Sequence, residues 1–188
     1  METLLILLRG INVGGKNKIP MAELRTWLEG LGFLDVSTFI ASGNVVVTTD
    51  RSADETAAQI EAALPKAFQL DSEIVKALAL TGEDLQGVVD NRPAGFGDQP
   101  DKYHSDAIFL IGVDSAEVMP IFNPREGVDR VWPGEGVVYS ERLSAQRTKS
   151  RLNSIMTSPL YKSMTIRSWN TTVKLLEILK ARGADEQA

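Results

Sequence analysis

Gly10, Gly15 and Lys16 stand in the spacing G-x-x-x-x-G-K, inside the stretch RGINVGGKNK that runs from Arg9 to Lys18. In a phosphate loop the glycines let backbone N–H groups curl round phosphate, the lysine reaches the β and γ oxygens, and a following Ser or Thr opens a helix and holds magnesium. Asn17 occupies that last place here. The helix signal comes at Pro20, four residues after Lys16, so Lys16 does not sit in a first helical turn. A triphosphatase is therefore set aside. Two readings of the loop remain. In one, the glycines make turns and the lysines are solvated. In the other, Gly10, Gly14 and Gly15 form a nest of N–H groups for an anion, beside Asn12 and with help from Arg9, Lys16 and Lys18.

A second cluster lies near the other end of the chain, in Arg167-Ser168-Trp169-Asn170-Thr171. It falls where a strand meets a helix. Asn170 or Ser168 can cap that helix, which leaves orphan N–H groups and the positive dipole end facing the loop. Arg167 supplies a planar five-donor fork suited to phosphate or carboxylate. Trp169 can stack on a ring, although a large aromatic on a helix's apolar face more often belongs to the core. The segment from Arg142 to Lys174 carries seven basic residues and no Asp or Glu, in a chain whose net charge is −5. Its Arg147, Lys149 and Arg151, mixed with hydroxyls, suit either a phosphate backbone or a solvated helix face.

The remaining chemistry is sparse. The lone histidine, His104, is read as lying in the loop before a strand, and no G-x-S-x-G pattern accompanies it. Glu83-Asp84 and the Asp98, Asp101 pair sit at capping or loop positions, where solvation explains them. There is no cysteine, which excludes disulfides, thiolate zinc and a cysteine nucleophile. A single histidine excludes a multi-histidine metal site, while an oxygen-ligand magnesium or calcium site stays open. No metal or cofactor is expected from these residues.

The elements that must position these residues follow from periodicity. Residues 3–9, TLLILLR, form an apolar run suited to a buried central strand. Met21, Leu24, Trp27, Leu28 and Leu31 recur at helical spacing, and Gly32 supplies the stop. Strands over 36–41 and 45–49 flank Ser42, Gly43 and Asn44, a short turn that makes them an antiparallel hairpin. Ser52 or Asp54 caps a second helix that Pro65 ends or kinks, and 73–80 closes the unit as a strand. The order β-α-β-β-α-β is the split βαβ of ferredoxin-like units, and it departs from the parallel crossovers of phosphate-loop proteins.

A short helix over 81–91, capped by Thr81 with Asp84, leads into a Gly-, Pro- and Asp-rich linker at 91–104. The order then repeats: a strand at 106–113, a short helix at 115–122, a hairpin around Pro133-Gly134-Glu135-Gly136, a helix from Ala145 to Met156, a strand at 164–168 and a helix from Trp169 to Arg182. Stacking aromatics on the first unit's strands are limited to Phe39, so the pattern of an RNA-reading sheet is not met. The apolar N-terminal run of five residues is shorter than a signal peptide's, and no stretch approaches the ~20 apolar residues of a membrane span. These features favour a cytoplasmic protein without a membrane partner.

The blocks LLRGINVGGKNKIPMAELR, SGNVVV and TIRSWNTTVKLLEI resemble the bacterial family called domain of unknown function 1697. The resemblance covers nearly the whole chain. It implies paired ferredoxin-like units in a small soluble bacterial protein, and no established activity. The family reads Arg-Asn-Trp-Asn-Thr in its last block, where this chain has Ser168 in place of the first amide.

The expected architecture is α+β, with two ferredoxin-like βαββαβ units in tandem, at 1–80 and 105–188, joined by a helix and linker at 81–104. The leading functional expectation is a binding module for an anionic ligand: a nucleotide, a phosphorylated metabolite or a nucleic-acid segment. Its site would draw on Arg9, Asn12, Gly14, Gly15, Lys16 and Lys18, on Ser42 and Asn44, and on Arg167, Trp169, Asn170 and Thr171. An enzyme on the same surface, with His104 or a carboxylate moving protons, is the first alternative. A self-assembly or protein-interaction module is the second. The oligomeric state stays open.

Overall fold

The computed structural model describes residues 1–71 and 75–185, and the chain forms two compact units. One comprises Met1–Leu85 with Leu175–Ala188, the other Gln86–Lys174.

The first unit contains β1 (Glu2–Arg9), α1 (Met21–Gly30), β2 (Leu34–Phe39), β3 (Asn44–Thr49), α2 (Ala53–Ala67) and β4 (Lys76–Leu80). Residues 73 and 74 of the expected last strand lie outside the described residues. The sheet order is β2-β3-β1-β4, and every neighbouring pair is antiparallel. The apolar run put β1 in the middle, where Leu4 to Leu8 are at most 2% exposed. Leu24 and Leu28 of α1, with Ile60 and Leu64 of α2, join Leu4, Ile6 and Leu8 in one core. Ser52 and Glu55 form a reciprocal capping box that starts α2, and Pro65 is accommodated in its last turn. Gly43 is at φ 77°, and a Cβ there would stand 3.0 Å from Leu8 Cβ and 3.1 Å from Leu8 O. The β2–β3 turn thus needs glycine both for its backbone angle and for its approach to β1.

In the second unit, β5 (Tyr103–Leu110), α4 (Ser115–Val118) with a 3₁₀ turn at Met119–Ile121, β6 (Asp129–Pro133), β7 (Val137–Leu143) and β8 (Met164–Ser168) repeat the plan. The sheet order is β6-β7-β5-β8, again antiparallel throughout. Both sheets therefore have the strand order of ferredoxin-like units. α3 (Gly82–Asp90) carries the Thr81–Asp84 cap, and α5 (Trp169–Asp185) begins in the second unit. From Leu175 onward α5 groups with the first unit, where the Arg182 guanidinium donates to Asp35 O and to Ser37 Oγ.

The helix expected from Ala145 to Met156 does not form. That crossover is made of 3₁₀ turns at Ser144–Lys149, Leu152–Thr157 and Pro159–Ser163. The cause is competition from side chains for backbone donors. Arg151 N–H goes to the buried Asp129 carboxylate at 2.8 Å, and Leu152 N–H to Ser150 Oγ at 3.3 Å. Ser150 is extended at φ −62°, ψ 143°, which interrupts any continuous helix. Leu152 and Ile155 still reach the core beside Ile108, Leu110 and Val138.

Candidate functional site

The loop after β1 is a small hairpin. Lys16 N–H donates to Val13 O and Asn12 N–H to Asn17 O, both at 3.0 Å, with Gly14 and Gly15 at φ 58° and 78° between them. Two successive positive φ angles are the mark of a type I′ tip. The glycine pair thus forms the tip of this hairpin. Other donors of the loop are committed as well. Asn17 N–H reaches the Asp71 carboxylate at 2.6 Å, and its side-chain amide reaches Gly10 O at 2.7 Å. Asn12 accepts from Ile19 N–H at 2.8 Å and donates to Ile19 O and Ala41 O at 3.0 and 3.1 Å. Asn44 is fully buried and donates to Phe39 O and Ser42 Oγ. Asn12, Asn44 and Ser42 therefore brace the two turns. Lys16 and Lys18 remain exposed, and Arg9 is half-buried.

The second predicted cluster lies in the second unit. Ser168 is the cap of α5, its Oγ accepting Thr171 N–H at 3.2 Å and donating to Thr171 Oγ1 at 2.9 Å. Trp169 is 4% exposed and packs edge-on against Phe96 and Tyr139, with ring centroids 5.1 and 6.3 Å away. A side chain on Gly97 would overlap its ring. Arg167 is 7% exposed, donates to Thr165 Oγ1 and Ile166 O at 2.9 and 2.8 Å, and burial pulls its pKa down to about 10. Trp169 and Arg167 are thus largely interior groups. Asn170 is exposed at the first turn of α5.

A polar cleft of about 250 Å³ opens at this junction, lined by Gly97, Pro100, Tyr103, His104, Ser105, Ser168, Trp169 and Asn170. Its geometry comes from unequal strand lengths. β8 pairs with β5 only as far as Asp106↔Ser168, so Tyr103, His104 and Ser105 run past the point where the chain turns into α5. His104 is therefore a strand residue and not part of the preceding loop. Its Nε2 lies 3.2 Å from Asp106 Oδ1, two residues along the same face of β5. Burial pushes the Asp106 carboxyl up, against the opposing pull of His104 and Arg142. On the other face, Ser105 Oγ and Gly97 N–H donate to Glu141 Oε1 at 2.7 and 3.0 Å, and Arg130 pairs with the other oxygen of the same 1%-exposed carboxylate. That network fixes the cleft's far wall.

Sequence reasoning singled out His104, Ser168, Trp169 and Asn170 of this cleft and missed Tyr103 and Ser105, along with Asp106 behind His104. The signal was His-x-Asp at strand period, and it was hidden by starting the strand at Asp106 instead of Tyr103. Among the described residues no group of three or more His, Asp or Glu could hold a metal ion, and no helix is long and apolar enough to cross a membrane.

The family described as "Protein of unknown function (DUF1697)" matches residues 1–139. Among solved structures, the chain is similar to conserved bacterial protein SP0830 from Streptococcus pneumoniae, at 28% identity and a TM-score of 0.74, over 94% of this chain and 98% of that one. No curated protein matches the chain.

Proposed function

The chain belongs to the DUF1697 family, and from that premise we propose that it binds a small anionic ligand, a phosphorylated or carboxylated metabolite, in the cleft at the start of α5. One observation carries this reading: unequal strand lengths bring His104 into one cleft with Asn170, which is exposed in the first turn of a 17-residue helix. The first turn of a helix offers unpaired N–H groups and a positive dipole end. Asn170 adds an amide donor and His104 an imidazole, which Asp106 orients from behind. The volume suits a small metabolite and is below the usual range for drug-sized ligands. The glycine loop is left outside the site because it belongs to the first unit and none of its residues lines the cleft.

A thermal-shift titration with inorganic phosphate and a panel of small phosphorylated and carboxylated compounds tests this. Ligand at about 100 times its Kd stabilises by about 2.7 kcal/mol. The shift should vanish in His104→Ala and weaken in Asn170→Ala. No shift with any compound, or an equal shift in His104→Ala, removes the proposal.

The His104–Asp106 pair favours a second reading, proton transfer to or from the bound compound. Turnover of a binding compound, lost in His104→Ala and Asp106→Asn alike, supports it. Unchanged ligand after long incubation with the wild type counts against it.

A further inference from the structure

We infer that the groove over Trp27 on the first unit is a self-association surface whose occupant is a second copy of this chain. α1 and α2 turn Leu24, Leu28, Ile60 and Leu64 into the core. Trp27 stays half-buried on their flank, edge-on to Phe68 with ring centroids 5.5 Å apart. Two adjoining depressions, each of about 440 Å³, share Trp27 and Ala67 as a common wall. Their linings are mostly apolar and include the small side chains Ala62 and Ala63, which permit close backbone approach. A central aromatic in such a setting is the usual anchor of a protein interface.

The charges specify the occupant. Among the lining residues only two are charged: Glu23 in one depression and Lys66 in the other, with Trp27 between them. A two-fold axis through the Trp27 region sets Glu23 of each copy against Lys66 of the other, so one contact is satisfied twice. This is the self-complementarity that an isologous interface requires. A uniformly acidic or basic partner would meet one opposite charge and one like charge on the same groove. This inference is independent of the ligand cleft, which lies in the other unit.

Light scattering and sedimentation equilibrium on the full chain over a concentration series test it. The wild type should form a dimer whose fraction rises with concentration. Glu23→Lys and Lys66→Glu should each weaken association roughly tenfold, since each reversal turns two attractive pairs into repulsive ones. The double variant should restore the wild-type constant. Both positions are exposed, so circular dichroism should show unchanged folding. A monomer at every concentration overturns the inference. So does a dimer indifferent to the single reversals, or a double variant no better than either one.

Discussion

His104 Nε2 sits 3.2 Å from Asp106 Oδ1, and the carboxylate is the more buried partner, its side chain 16% exposed against 45% for the imidazole. The arrangement points the histidine outward into the cleft and keeps the acid behind it. Burial raises the Asp106 pKa, so the folded protein disfavours its charged form more than the unfolded chain does. A raised carboxyl contributes stability that is present below its unfolded pKa and lost as pH rises through the folded one. Asp106→Asn should therefore raise the melting temperature at neutral pH and give little gain in acid. Melting curves across pH check this, and a loss of stability at neutral pH would show that the ion pair outweighs the desolvation.

Tyr139 links β7 to the end of α3. Its hydroxyl donates to Val88 O at 2.6 Å, and the residue is 1% exposed between Phe96 and Trp169. Tyr139→Phe keeps the ring packing and leaves a buried carbonyl without that donor. The expected loss is about 1–3 kcal/mol in a denaturant titration. Burial also pushes the phenol up to about 12. The hydroxyl stays protonated in the folded state where the unfolded chain has ionised, so stability is full below about pH 10 and falls as pH rises toward 12. Tyr139→Phe should flatten that alkaline fall.

The sheets were legible in the sequence because their signals are local and redundant. The apolar run of β1, the short turn at Ser42–Asn44 and the cap offered by Ser52 or Asp54 each name their element without help from distant residues. The crossover after β7 was not legible, because what prevents a helix there is Asp129, more than twenty residues upstream of Arg151. The same limit governs the candidate site. Arg167 and Trp169 have side chains that suit ligands, yet partners such as Thr165, Phe96 and Gly97 turn them inward. The cleft depends on β5 outrunning β8, which no single segment encodes.

Gly43 and Gly14 both have positive φ, yet they should respond differently to alanine. At Gly14 nothing lies within 4 Å of an added Cβ, so only backbone strain of about 1 kcal/mol is expected. At Gly43 the same strain is joined by contacts of 3.0–3.2 Å with Leu8 and Ile11, and Leu8 N–H donates to Gly43 O. Gly43→Ala should cost about 2–4 kcal/mol, as strain adds to overpacking. Equal losses at the two positions would mean that the β1 contact gives way freely.

Asp129 offers the sharpest test of how the irregular crossover is held. Its Oδ2 accepts Arg125 N–H at 2.9 Å, four residues back, and Arg151 N–H at 2.8 Å, 22 residues on, so a single oxygen binds both backbone segments. The residue is 6% exposed, so its loss cannot be repaired cheaply by solvent. Asp129→Ala strands two donors at once and should cost about 3 kcal/mol. Amide exchange should speed up most at Arg125 and Arg151, since the donors there lose their acceptor. Asp129→Asn keeps one acceptor oxygen and should recover part of the loss. If Asp129→Ala instead left both amides protected, the 3₁₀ path would be set by Leu152 and Ile155 packing, and the carboxylate would be a follower of that packing.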